Sequence, residues 1–225
     1  MIFLVRKVIS LKRTLYSLML SDDVVREVDR LAHRMGTNRS SLVNRILAEY
    51  VDYTTPERRI NEVFTALEEL LSPSGELVPF FAPNAPTMSM KSSLEYKYRP
   101  TVKYEVELTE PADGSIGTLT VLFRTQSASL IDALTRFFRL WKELEDAYLA
   151  PRVSAPVRYA LYDGRFVRSL DAPQGGCSSA ELARALSDYV QTFDALLKGV
   201  LSGRLSEHDA EREYLRFLQK AEILL

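Results

Sequence analysis

At 225 residues, with 46% hydrophobic and 26% charged residues, the chain has room for one large domain or two small ones and the balance of a folded globular protein rather than a disordered one. Its net charge of −1 excludes a uniformly basic nucleic-acid binder, and its one cysteine, Cys177, excludes a disulfide within the chain and fits a reducing compartment. The charge is unevenly spread. Up to Tyr53, nine Lys and Arg face six acids (+3), leaving twenty basic and twenty-four acidic residues (−4) for the rest. A basic head on an acidic body is the asymmetry expected of a DNA-binding end hidden under a neutral total.

The opening MIFLV is apolar but only five residues long before Arg6 and Lys7, too short for a signal-peptide core. No stretch reaches the length of a membrane span, so a cytoplasmic protein with no membrane partner is expected.

In chain order, residues 12–20 read as a short strand, with Tyr16, Leu18 and Leu20 on one face and Leu15, Ser17 and Met19 on the other. Ser21 is placed to cap a helix whose first turn holds Asp22 and Asp23. Val24, Val28, Leu31, Ala32 and Met35 then recur at helical spacing until Gly36 stops them. Asn38 can cap a second helix with Leu42, Val43, Ile46, Leu47 and Tyr50 on one face. Pro56 opens a third amphipathic helix carrying Ile60, Val63, Phe64, Leu67, Leu70 and Leu71. The proline-rich stretch 72–86 reads as a linker or an ordered loop.

The remainder predicts an α+β domain with an antiparallel sheet and long helices. Strands are expected over 88–98, 101–109 and 117–124, a long helix over 127–149, a hairpin turning at Asp163–Gly164, and helices over about 179–202 and 207–223. The domain reading is therefore 1–53, a connecting helix and linker over 54–86, and an α+β domain over 87–225 of unassigned role.

Residues 13–51, RTLYSLMLSDDVVREVDRLAHRMGTNRSSLVNRILAEYV, resemble the ribbon-helix-helix family of Arc-, MetJ- and CopG-type DNA-binding proteins. The resemblance covers about a sixth of the chain and rests on an alternating strand, Ser21, a first helix, Gly36 and Asn38–Arg39–Ser40 opening a second helix. It implies a homodimer in which two strands pair antiparallel and lie in the major groove of double-stranded DNA. Tyr16, Leu18 and Leu20 would form the dimer core. Leu15, Ser17 and Met19 would face the bases with Arg13 at the edge, a departure from the polar residues usual there. Lys12, Asn38, Arg39, Ser40 and Arg45 would hold phosphate. Physics points the same way: one such unit has little core of its own, and a lone strand leaves both edges unpaired.

No other chemistry is apparent. His33 and His208 are the only histidines, no phosphate-binding glycine loop or dinucleotide fingerprint is present, and no cofactor, metal or catalytic activity is expected. The aromatic residues between Phe80 and Phe166 read as core before pocket; Tyr96 and Tyr98, on one strand face, have a spacing that could stack bases. The expected function is a sequence-specific DNA-binding regulator of repressor type. The alternatives are an antitoxin-like protein-binding module and a DNA-processing accessory protein of a plasmid or mobile element.

Overall fold

The structure is a computed structural model and describes residues 15–225 except 84, 95–99, 113, 163 and 174. The chain divides into two compact units, Met1–Arg58 and Arg59–Leu225.

In the first unit, α1 (Asp22–Arg34) and α2 (Arg39–Tyr50) form a helix pair. Ser21 occupies the cap position of α1 in an extended conformation, but its side chain makes no capping bond, contrary to expectation; Asp22 and Asp23 still place negative charge at the positive end of the helix dipole. Gly36 ends α1 at φ +61°, where the Thr37 amide reaches back to the Ala32 carbonyl (2.9 Å) and the Gly36 amide to that of His33 (3.2 Å). Asp52, at φ +53°, closes α2 in the same way, with the Tyr53 amide on the Ala48 carbonyl (2.8 Å). Residues 15–20 lie in neither helix nor strand, so the expected strand is absent from the described part of this segment. A strand is defined by its ladder, and this unit has no second strand among the described residues to supply one.

The second unit is α+β. A six-stranded antiparallel sheet runs in the order β1-β2-β3-β4-β6-β5. Its strands are β1 (Val78–Phe81), β2 (Thr87–Ser93), β3 (Thr101–Ala112), β4 (Ser115–Phe123), β5 (Tyr159–Tyr162) and β6 (Arg165–Asp171). The helices are α3 (Pro56–Leu71), α4 (Ala128–Leu144), α5 (Ser179–Leu201) and α6 (Glu207–Lys220), α3 entering this unit from Arg59 onward. The stretch expected to be a linker thus supplies an edge strand, β1, because Val78 to Phe81 find a partner in Lys91 to Met88 of β2. The 54–86 connector also contributes Val63, Phe64, Leu67 and Leu71 to the core.

The period-two pattern decides which sheet face is covered. Val102, Tyr104, Val106 and Leu108 of β3 are buried, while Lys103, Glu105 and Glu107 alternate with them toward the other face. Opposite them, Leu119 and Val121 of β4 and Phe166 of β6 complete the apolar face. A register shift opposite Ser115–Gly117 bends the β3–β4 hairpin, and Gly117 is required there: a Cβ on it would stand 2.0 Å from the Glu107 carbonyl oxygen. Across the core, Trp141 of α4 meets Phe193 (4.6 Å between ring centres), Tyr214 (5.1 Å) and Tyr189 (5.6 Å), and Phe138 stacks on Phe166 (5.1 Å). The aromatic residues are therefore chiefly core, with Phe80 and Tyr162 exposed; Tyr96 and Tyr98 lie outside the described residues.

An ion pair is sealed inside this core. Helix α4 loosens after Leu144 into one turn of wider π-type helix, Glu145–Leu149, which aims the fully buried Glu145 at the fully buried Arg168 of β6. The Arg168 Nε donates to both Glu145 oxygens at 3.0 Å, its Nη1 donates to the Ser169 carbonyl, and its other terminal nitrogen to the Leu225 carbonyl. The hydroxyls of Tyr159 (2.7 Å) and Tyr189 (2.8 Å) donate to Glu145, and the Trp141 indole N–H donates to Tyr189 (2.8 Å). Burial first, then the Glu145 charge, raises the Tyr159 phenol far above its ordinary value. Removing one member leaves the other charge buried and unpaired. Arg168→Met is expected to destabilise this unit by about 3–5 kcal/mol. Urea unfolding followed by the fluorescence of Trp141, the single tryptophan, measures this directly; an unchanged midpoint would mean the pair is dispensable.

Candidate nucleic-acid interface

The residues expected to contact DNA all belong to the first unit. Lys12 and Arg13 lie outside the described residues. Leu15, Ser17 and Met19 are exposed, Leu15 and Met19 almost completely so, at 96% and 103% of their free surface. The expected dimer-core residues Tyr16 (80%), Leu18 (62%) and Leu20 (46%) are exposed as well in the single chain. The two alternating faces are thus not distinguished by burial.

The start of α2 is well ordered by its own cap. The Asn38 side chain accepts from the Ser41 amide at 2.9 Å, while Asn38 itself is extended. The first-turn amides of α2 that precede Ser41, those of Arg39 and Ser40, are left for another acceptor, and the first turn carries no acid. Arg39 does not project freely. Its Nε donates to Asp29 Oδ1 at 2.7 Å and its Nη2 to the other oxygen, a two-point grip across the α1–α2 turn. Arg45 is turned toward the Met35 sulfur. On α1, Arg26 pairs with Asp23 and Arg30 with Glu27, one turn apart. The basic excess of this unit is therefore partly answered by its own acids, which a count of charges along the sequence does not reveal.

The larger feature is apolar. Among the unit's described residues the buried hydrophobic side chains are Ala32, Leu42 and Ala48. Against these stand exposed Val24, Met35, Ile46, Leu47, Tyr50, Val51 and Tyr53, beside the four large apolar residues and Tyr16 of the preceding segment. Of the expected inner face of α2, Leu42 alone is fully buried, Val43 is half-buried, and Ile46, Leu47 and Tyr50 face solvent. Helical spacing identifies these residues as a face but does not say that the chain itself leaves the face uncovered.

The other candidates weighed from the sequence lack reactive geometry. His33 is exposed; His208 is 80% exposed and 3.4 Å from Glu211. Cys177 is half-buried, its thiol pushed up by burial, and its carbonyl accepts from Arg59. Among the described residues no three His, Cys, Asp or Glu side chains converge as metal ligands, and no helix is long and apolar enough to cross a membrane. The polar clusters that sequence reasoning missed lie inside the second unit. Besides Glu145–Arg168, the buried Asp194 accepts from Tyr104 (2.8 Å), Ser92 (3.0 Å) and Lys198 (2.7 Å). Their signal in the sequence is a lone charged residue within an apolar run, as Arg168 is in FVRSL.

The hydrogen bond from Arg39, before the attraction of its charge, holds the Asp29 carboxyl below its ordinary value of 3.8. A group depressed on folding stabilises the fold above its unfolded pKa and loses that contribution as the pH falls through the folded value. Arg39→Ala should return the Asp29 titration to the ordinary range, read from its carboxyl carbon by NMR; an unmoved midpoint would show that the pair does not persist in solution. Comparison with protein-family models, with curated proteins and with solved structures gave no match.

Proposed function

We propose that this protein is a DNA-binding transcriptional regulator that works as a homodimer through its first unit. The observation that carries the reading is the apolar imbalance of that unit: three buried hydrophobic side chains against a dozen large exposed ones over residues 15–53. A monomer does not normally leave so much apolar surface in contact with water, and a second copy would cover it. The same second copy would give residues 12–20 the ladder partner that the single chain lacks.

The DNA part of the proposal is supported by the ribbon-helix-helix resemblance, the acid-free basic stretch before Ser21, and the capped α2 start with its two open amides. In the dimer, Leu15, Ser17 and Met19 would project from the paired strands into the major groove. Ser17 would hydrogen-bond a base edge, and Leu15 and Met19 would contact thymine methyl groups. Backbone amides at Arg39 and Ser40 would take a phosphate oxygen, and Arg39 would exchange Asp29 for it. The second unit, with a core of its own, would serve assembly or signal sensing.

Recovery of genomic DNA fragments by the purified full chain tests this, run beside the double variant Arg39→Ala/Ser40→Ala and at two salt concentrations. The expected result is enrichment of a discrete two-fold symmetric site, weakened at least tenfold by the variant and falling steeply with salt, since each phosphate neutralised releases condensed counterions. Enrichment that ignores both the variant and the salt, or no enrichment at all, would overturn the DNA reading.

A further inference from the structure

Helix α5 begins where α6 ends, and at that end of the helix pair the second unit holds a cavity of about 180 Å³. Five charged side chains line it. Glu181 is committed to the capping box of α5, its carboxylate accepting from the Ser178 amide and hydroxyl, and the other four are balanced in sign: Arg184 and Lys220 against Asp188 and Glu222. None of the four takes part in an ion pair or side-chain hydrogen bond among the described residues. Elsewhere on α5 and α6, neighbouring acids and bases are tied together: Arg212 to Asp209, Arg216 to Glu213, Lys198 to both Asp194 and Glu76. Phe217 and Ile223 supply apolar wall between the charges.

A site offering two cations, two anions and an apolar wall in so small a space complements a molecule with the same three parts. A simple anion would meet Asp188 and Glu222, a simple cation would meet Arg184 and Lys220, and a purely apolar molecule would leave all four charges partly desolvated without partners. We propose that the cavity binds a small zwitterion, an α-amino acid with an apolar side chain. Its ammonium group would donate to Asp188 and Glu222, its carboxylate would accept from Arg184 and Lys220, and its side chain would lie on Phe217 and Ile223. Asp188 is poised for the role. Burial, opposed by Arg184 and reinforced by Glu222, raises its carboxyl pKa, so a bound ammonium group would relieve a charge that is partly desolvated and repelled. The inference rests on the second unit alone and stands or falls independently of what the first unit binds.

The test uses calorimetric titration of the full chain with alanine, valine, leucine, methionine and phenylalanine. Each is compared with singly charged relatives; for leucine these are isopentylamine and 4-methylpentanoate. At least one amino acid is expected to bind with a Kd of about 1 mM or tighter, and its two singly charged relatives at least tenfold more weakly. Arg184→Gln and Asp188→Asn should each weaken that amino acid tenfold or more. Because both side chains stand at the surface, the unfolding midpoint read by Trp141 should hold in both variants. The proposal is overturned if no amino acid binds below about 10 mM, if a singly charged relative binds as tightly, or if both variants bind like the parent chain.

Discussion

A helix pair of this size cannot bury its own apolar side chains, and much about the first unit follows from that constraint. The α1–α2 turn is held by short-range devices that need no core: the Gly36 and Asp52 terminations, the Asn38 cap and the Arg39–Asp29 grip. These fix where the helices stop and how the chain turns between them. They do not supply stability, because exposed ion pairs contribute little and a single cap is a small term. What remains, among the described residues, is a unit with three small or medium buried hydrophobic side chains and a wide apolar exterior, the composition of half a core. The proposed dimer is the simplest completion, since a two-fold partner presents the same unsatisfied face.

The second unit obeys the opposite logic. Its sheet, four helices and aromatic cluster close a core in one chain, so polar groups trapped inside have to be satisfied there. The Glu145–Arg168 pair is, with two tyrosine hydroxyls and two backbone carbonyls around it, and the Asp194 cluster is too. Among the described residues the Tyr214 hydroxyl is the exception, buried against Trp141 without a hydrogen-bond partner. Such sealed networks fix one packing arrangement more than they add net stability. They leave reactive geometry to the surface, where the unpaired charges beside α5 and α6 stand.

Most local signals were legible, the unmade Ser21 side-chain cap apart. Pro56 opened α3, Gly36 closed α1, Asn38 capped α2, β5 and β6 paired as the expected hairpin on either side of Gly164, and alternation along Val102–Leu108 marked the covered face of the sheet. Long-range pairing was not legible. The proline-rich stretch 72–86 gave no hint that Val78–Phe81 would add to β2, because a four-residue edge strand is set by its partner and not by its own pattern. Nor did spacing foretell that α4 would widen at Glu145, or that Arg39 would be claimed by Asp29 ten residues back. For the candidate interface, the sequence named the residues of the segment and of α2, and their exposure in the single chain fits a face awaiting a partner. Which of its two alternating sets would face inward in the proposed dimer would depend on the second copy.

The most direct test of this account is the solution mass of the full chain by sedimentation equilibrium, for the parent and for Leu18→Pro, which blocks strand pairing at the middle of the proposed ribbon. The account predicts twice the chain mass of 25.6 kDa for the parent and a single chain mass for the variant, with the second unit still folded. A parent that sediments as one chain, or a variant that remains a dimer, would contradict it.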